Sequence, residues 1–309
     1  MYDKNKLKWI YFYFIILNSL SYFFRDIKQQ EGEEYFLQER IKLEQEALNE
    51  LRPFFYNNKQ KWIYFYPVAL NNFVDSYREY YLKYPENFQI NFIFELIEYL
   101  TEALNEIEVY YEKYEFSRIN LIEYFCKILT SKANLYKIID KELILYNKEV
   151  IKLEEKAYNE IKIYFAINNI IFFDTYCIVL NNLATSYYII DKKELAIDIL
   201  QNKLIPEIKK IYDNFYNKLK IIDIYIVSFN NLISFYKKSN NNELMGKAID
   251  LQKEIFKEIE FFYKKYKNDF IFYYCNITNG LSDSYFYIRK NLTKALEYQE
   301  RAYIESNKI

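Results

Sequence analysis

Apolar residues recur every three or four positions along most of the chain, with charged residues between them. Clear examples are residues 41–51, 149–163 and 248–262. This spacing is the period of an α-helix that buries one face. Only three glycines and four prolines occur in the 309 residues, which leaves little room for the turns of a β-sandwich or a barrel. The pattern therefore predicts an all-α protein.

One eight-residue frame of apolar and polar positions returns along the chain. Residues 180–187 read LNNLATSY. The same order returns at residues 70–77 (LNNFVDSY), 229–236 (FNNLISFY) and 278–285 (TNGLSDSY), with fainter copies that end at Phe24 and Tyr136. The final aromatic residues stand at positions 24, 77, 136, 187, 236 and 285, so successive copies are 49 to 59 residues apart. Such recurrence is typical of a repeat protein.

A second frame follows the first one in each repeat and is loosest at residues 99–103. Its copies begin at Leu37, Tyr146, Leu200, Leu251 and Tyr298. Two alternating frames predict two helices per repeat, A and B, in one domain over residues 1–309. The approximate repeats are residues 9–56, 62–116, 117–168, 170–218, 220–268 and 270–309.

Polar residues between A and B predict where the B helices begin. Asp140, Asp191, Asn241 and Asn291 each follow the final aromatic residue of helix A by four to six positions. Asp and Asn are good N-cap residues because the side chain accepts from a backbone N–H that has no partner within the helix.

The composition argues against several kinds of chemistry. The chain has no histidine, which removes Ser-His-Asp and Cys-His catalysis and imidazole metal sites. Cys126, Cys177 and Cys275 form no CxxC pair, and each lies ten residues before the final aromatic residue of its repeat. This recurrence predicts free, packed thiols, which suit a reducing cytoplasm. No catalytic residue, cofactor or metal site is predicted.

Charge and the amino-terminal segment bear on partners and location. The net charge is −1, which gives no support for nucleic-acid binding. Residues 9–24 are almost wholly apolar and follow three lysines, as in a signal peptide or a short anchor. Sixteen residues are few for a membrane span. Leu17, Asn18 and Phe24 also match the helix A frame, so we expect repeat one here and a cytoplasmic protein; a membrane anchor stays open.

The LNNLAxxY frame of helix A, followed by KALEYQERA at residues 294–302, resembles the tetratricopeptide repeat, and especially its kinesin-light-chain-like subclass. The resemblance covers residues 9–309 and is strongest in the last three repeats. The spacing here exceeds the family's period of roughly 34 residues. The resemblance implies a right-handed α-solenoid of about six antiparallel helix pairs, with helix A on the concave side.

The resemblance also implies that the fifth, sixth, ninth and twelfth positions of helix A face the binding groove, and the fifth and twelfth are used here to choose candidates. Asn side chains can hydrogen-bond a peptide main chain, and basic side chains attract carboxylates. The candidate partner-binding residues are Asn71, Arg78, Lys137, Asn181, Tyr188, Asn230, Lys237 and Asn279. Two other interpretations stay open: that the Asn residues bond within the repeats, and that the basic residues are solvated helix ends.

The implied function is a non-enzymatic scaffold that holds a protein or peptide, acidic in character, in the helix A groove. One alternative is the sensor or regulatory arm of a larger effector complex. An α/α-barrel enzyme would need acid pairs or metal ligands that converge at loop ends, and the sequence shows no such cluster. A membrane-anchored adaptor is the remaining alternative.

Overall fold

The computed structural model describes residues 15–17, 19–21, 33–87, 89–114, 118–140, 144–214, 221–239 and 241–307. Within these ranges all regular structure is helical, which confirms the all-α prediction. Two compact units divide the chain, Met1–Val179 and Leu180–Ile309, and each is described by itself. A single repeat domain over residues 1–309 stays a prediction.

The first unit is built of helices that pack on their neighbours in chain order. They are α1 (Glu33–Asn57), the short α2 (Lys59–Trp62), α3 (Tyr66–Lys83), α4 (Ile90–Lys113), α5 (Arg118–Ile139) and α6 (Asn147–Ile167). Helix α3 packs against α1, α4 and α5, and α5 packs against α6. Because α3 and α5 carry the helix A frames while α1, α4 and α6 carry the helix B frames, A and B alternate as predicted.

The second unit continues the same alternation. Helix α7 (Phe173–Ile189) contains the boundary between the units, and α8 (Lys193–Asp198) and α9 (Ile205–Asn214) follow, joined by a π-helical turn, Ile199–Leu204. Next come α10 (Ile222–Lys237), α11 (Asn242–Lys265), α12 (Lys267–Tyr287) and α13 (Leu292–Ser306). Helices α10 to α13 pack consecutively. The π-helical turn precedes Pro206, whose ring nitrogen has no N–H for the ordinary helical bond.

The periodic apolar residues form the core between the helices. In α10, Phe229, Leu232, Ile233 and Tyr236 are buried at the spacing of one helical face. Helix α11 packs against α10, and Ile255 and Ile259, one turn apart on α11, are buried. Burying a large apolar side chain contributes about 1.5–3 kcal/mol, so this face supplies much of the stability of each pair. The apolar residues that recur with the helical period are therefore the ones that are buried between helices, as predicted.

The cysteines pack between the helices of their repeats. Cys126 and Cys177 are fully buried, and Cys275 is partly buried. The Sγ of Cys126 donates to the carbonyl of Ala157 at 3.5 Å, and that of Cys275 donates to the carbonyl of Ala302 at 3.7 Å. Burial raises the pKa of the Cys126 thiol, which keeps the sulfur protonated. The predicted packing role is confirmed for Cys126 and Cys177.

Two of the four predicted helix caps are formed. Asn241 accepts from two backbone N–H groups at the start of α11, and Asn291 accepts from one at the start of α13. Asp191 as a cap is wrong: it has a left-handed backbone (φ 63°), and Lys192 takes the cap position of α8. Asp140 instead accepts from two backbone N–H groups that precede α6.

The apolar amino-terminal segment is described only in part. Residues 15–17 and 19–21 are helical, Leu17 and Ser21 are buried, and Ser21 donates to Glu44 on α1. Asn18, Phe24 and most of the remaining segment lie outside the described residues. Among the helices that the structure describes, none combines the length and the apolar character that crossing a membrane requires.

Candidate functional site

In the first unit, the fifth-position Asn71 hydrogen-bonds within the protein. Its Nδ2 donates to Asp75 one turn along α3 at 3.0 Å, and its Oδ1 accepts from the hydroxyl of Ser131 on α5 at 2.9 Å. Asn71 is 8% exposed. The side chain therefore joins two successive A helices.

Asn181, the fifth-position residue of α7, makes a similar connection to α10. Its Nδ2 donates to the hydroxyl of Ser228 at 2.8 Å, and its Oδ1 accepts from Nδ2 of Asn231 at 2.9 Å. Asn181 is also 8% exposed. In both units, then, a fifth-position Asn accepts from the sixth-position residue of the next A helix, which is Ser131 or Asn231.

The next step along the chain breaks this rule. The last three copies of the frame are 49 residues apart, so Ser228 and Asn231 correspond to Ile277 and Gly280 on α12. Neither residue has a side chain that can hydrogen-bond. Asn230, which corresponds to Asn181, is exposed and makes no side-chain hydrogen bond to any described residue.

The other candidate residues also differ in their surroundings. Lys137 lies 2.5 Å from the carboxylate of the fully buried Glu154. Arg78 lies 3.9 Å from the carboxylate of Asp75, three residues earlier on the same helix. The ring of Tyr188 stacks on that of Phe235 with 4.2 Å between centroids. Asn279 on α12 is exposed.

A cavity of about 480 Å³ lies between α10 and α12, with α11 as its floor; we call it the A-helix cleft. Its floor is formed by Gln252 and by isoleucines of all three helices. The rim holds the exposed residues Val227, Asn230, Phe272 and Asn276. Of the eight sequence candidates, Asn230 and Lys237 line this cleft.

Two polar contacts hold α10 and α12 together beside the cleft. Towards the amino-terminal end of α10, the hydroxyl of Tyr273 donates to Asp223 at 2.6 Å. Burial and this carboxylate raise the pKa of Tyr273 to about 12, so the hydroxyl keeps its proton at neutral pH. At the carboxyl end of α10, the ammonium group of Lys237 donates to the carbonyl of Gly280 at 3.4 Å. These two contacts join α10 to α12 beside the cleft.

The electrostatic character of the cleft is positive. Lys237 and Lys238 are the charged residues of the lining, and no carboxylate is among the described residues that line it. Burial lowers the pKa of Lys237, although the carboxylate of Asp283 opposes this shift. A half-buried ammonium group with a single long hydrogen bond has capacity to pair with an incoming carboxylate.

Gly280 lies close to the side chain of Gln252 beside the cleft. A Cβ atom at this position would lie 2.9 Å from Nε2 of the buried Gln252. The other end of this amide is fixed, because Oε1 of Gln252 accepts from Ser284 at 2.6 Å. Glycine inside a helix costs about 1 kcal/mol relative to alanine. The close approach of Gln252 gives one structural reason for a glycine here.

The sequence did not identify most of the cleft. Val227, Phe272, Asn276 and Gln252 were not candidates, because the candidates were taken from the fifth and twelfth positions of each A helix. The 49-residue register was the available signal. Comparing Ser228 with Ile277 would have shown a hydrogen-bond partner lost from this one pair of helices.

A second cavity of about 480 Å³ lies on the other side of α10, between α9 and α11; we call it the B-helix cleft. Its lining includes Pro206, Leu232 and Leu251. An ion pair of 2.8 Å between Lys209 and Glu254 crosses it. Because charges of both signs pair here within the protein, the B-helix cleft has less capacity for a charged ligand than the A-helix cleft.

Within the part of the chain that the structure describes, no group of three or more Cys, Asp or Glu residues could hold a metal ion. The residues that line the A-helix cleft offer hydrogen bonding, apolar contact and charge attraction.

A solved structure of another protein agrees with this architecture. BtubC (BKLC) from P. vanneervenii, a kinesin light chain-like protein, superposes with a TM-score of 0.58 at 13% identity, over 88% of this chain and 91% of that chain. A designed circular tandem repeat protein matches with a TM-score of 0.37 at 14% identity, over 99% of this chain and 74% of that one. No protein-family model and no curated protein sequence matches.

The first comparison decides the fold. The chain is a tetratricopeptide-like helical repeat protein in its architecture. In such a protein each repeat packs chiefly on its neighbours, so side chains between successive A helices either join the repeats or are left for a partner. Asn71 and Asn181 of this repeat protein join repeats, whereas Asn230 faces the A-helix cleft.

Proposed function

We propose that the protein is an interaction scaffold that holds an extended segment of another protein in the A-helix cleft. The observation that carries this proposal is the Asn230 side chain, which has no partner within the described protein and lies at the rim of an open cavity. A repeat array offers a partner such extended surfaces between neighbouring helices.

The chemistry of the cleft fits a peptide. Asn230 on α10 and Asn276 on α12 each offer N–H donors and a carbonyl acceptor, which match the groups of a peptide main chain. The floor of Ile226, Ile233 and Ile255 accepts an apolar side chain. A cavity of about 480 Å³ has room for one large side chain and its neighbouring main chain.

The charge of the cleft favours an acidic segment. Asn230 and Lys237 are seven residues apart on α10, which is about 10 Å along a helix axis. An extended peptide spans this distance in about three residues. We therefore expect the bound segment to place a carboxylate near Lys237 while its apolar side chain lies on the isoleucine floor.

Selection from a phage-displayed library of random peptides tests this function. The immobilised 309-residue protein is the bait, and an enriched peptide is then synthesised with fluorescein and titrated by fluorescence anisotropy. We expect N230A to weaken binding at least about tenfold, which corresponds to the loss of one or two hydrogen bonds. The matched control is N279A, which removes an exposed Asn of α12 outside the cleft lining; we expect a change of less than about twofold.

Two results would contradict the proposal. One is an enriched peptide whose affinity is the same for wild type and N230A. The other is concentration-dependent self-association in sedimentation velocity that N230A abolishes, because a second copy of this chain would then occupy the cleft. Failure of the library to enrich any peptide would also count against a peptide ligand.

A further inference from the structure

The repeat register shows that one pair of A helices, α10 and α12, lacks the contacts that link α3 to α5 and α7 to α10. In the preceding pair, the amide of Asn181 is held at 2.8 Å by Ser228 and at 2.9 Å by Asn231. One repeat later, Ile277 and Gly280 stand at the positions of those two partners. The loss concerns both partners at once.

We propose that Gly280 is the specificity-determining residue of this scaffold: by leaving Asn230 without a partner, it confines peptide recognition to the A-helix cleft. The inference rests on the proposed function and deepens it. A side chain at position 280 would play the part that Asn231 and Ser131 play elsewhere. It would bond the fifth-position Asn, which could then no longer bond the ligand main chain.

The ligand class follows from the two changes together. Ile277 adds an aliphatic surface to the floor where Ser228 has a hydroxyl in the preceding pair. The backbone carbonyl of Gly280 accepts from Lys237 and Ser284 at 3.4 and 2.8 Å. The site therefore takes an extended peptide whose main-chain amide bonds Asn230 and whose aliphatic side chain lies against Ile277.

Two matched substitutions at position 280 distinguish the effect of a new hydrogen-bond partner from the effect of added side-chain volume. G280N and G280A both introduce the Cβ atom that approaches Gln252. Only G280N supplies an amide to Asn230, as Asn231 does for Asn181. G280S is a smaller second variant, because Ser131 has this role towards Asn71 in the first unit.

The first readout needs no ligand. Thermal unfolding is measured for wild type, G280N and G280S, each with and without N230A. We expect N230A to change the midpoint by less than about one degree in wild type but to lower it by a few degrees in the G280N background, where a hydrogen bond has formed. Equal effects of N230A in both backgrounds, for G280N and also for G280S, would overturn the inference.

The second readout uses the fluorescein-labelled peptide enriched in the selection above. We expect G280N to weaken its binding at least about tenfold and G280A to weaken it less than about threefold. G280N should cause no further loss in the N230A background, because both changes remove the same interaction. Wild-type affinity in a folded G280N variant would overturn the inference while leaving peptide binding itself intact. Insensitivity to N230A would instead contradict the proposed function.

Discussion

The side-chain amide of Asn231 donates to the side-chain carbonyl of Asn181 at 2.9 Å, so two asparagines from successive A helices bond each other. Ser131 and Asn71 form the corresponding pair in the first unit. These contacts give the recurring Asn a structural role in two repeats. Asn230 has the same place in the frame as Asn71 and Asn181 but makes no such contact with a described residue.

The first prediction compares two asparagines that share one frame position. N181A should lower the free energy of unfolding by about 1–2 kcal/mol, because it leaves the polar groups of Ser228 and Asn231 without their partner. N230A should change it by less than about 0.5 kcal/mol. Urea denaturation followed by circular dichroism measures both. Equal losses for the two variants would mean that Asn230 also has a structural role.

The second prediction concerns Lys137, which was a sequence candidate for binding a partner. Its ammonium group pairs with Glu154, whose side chain is fully buried. K137A should cost about 3 kcal/mol of stability, because the carboxylate would lose its counter-ion inside the protein.

The double variant K137M/E154M is the control for this ion pair. Replacing both charges with apolar side chains of similar volume should cost less than K137A alone, since no buried charge remains. Denaturation midpoints of the three proteins decide the matter. A K137A protein as stable as wild type would show that Glu154 does not depend on Lys137.

The third prediction is a pH dependence from Glu44. Burial raises the pKa of this carboxyl, although Arg40 at 3.2 Å and Ser21 act in the opposite direction. At pH values between the ordinary pKa of this carboxyl and the raised one, Glu44 holds a proton in the folded chain and has released it in the unfolded chain. Stability contributed by this group therefore falls as pH rises through that window. Denaturation between about pH 4 and 7 should show a shallower slope for E44Q than for wild type; identical slopes would contradict the prediction.

The fourth prediction uses the helix caps. N241A should lower stability by about 1 kcal/mol, because two backbone N–H groups at the start of α11 lose their acceptor. D191G should leave stability unchanged or raise it, since glycine adopts the left-handed backbone without steric cost. Thermal unfolding measures both shifts. A clear loss for D191G would show that the carboxylate itself has a structural role.

Much of the fold could be predicted from the sequence because helix pairs leave a strong periodic signal. The apolar faces, the alternation of A and B and the caps at Asn241 and Asn291 all depend on neighbouring residues along one chain segment. The sequence placed the N-cap of α8 at Asp191, one residue before its position at Lys192. Its turn takes a left-handed backbone, which a residue pattern does not specify.

The site was harder to predict because it depends on which residues meet across helices. Asn71, Asn181 and Asn230 share one frame position, yet two of them bond another A helix and the third does not. The difference lies 47 to 50 residues away, at Ser228, Asn231 and their counterparts. Comparing the frames alone does not distinguish these asparagines. The distinction requires comparing the residues of the next A helix that each of them faces.

Photo-cross-linking of the enriched peptide tests the central claim most directly. The peptide carries benzoylphenylalanine at its apolar position, and the cross-linked residues are identified by mass spectrometry. The account predicts adducts on the rim of the A-helix cleft, at Val227, Phe272 or Asn276, and their loss in N230A. Adducts on the lining of the B-helix cleft, such as Pro206 or Leu251, with none on α10 or α12, would contradict it.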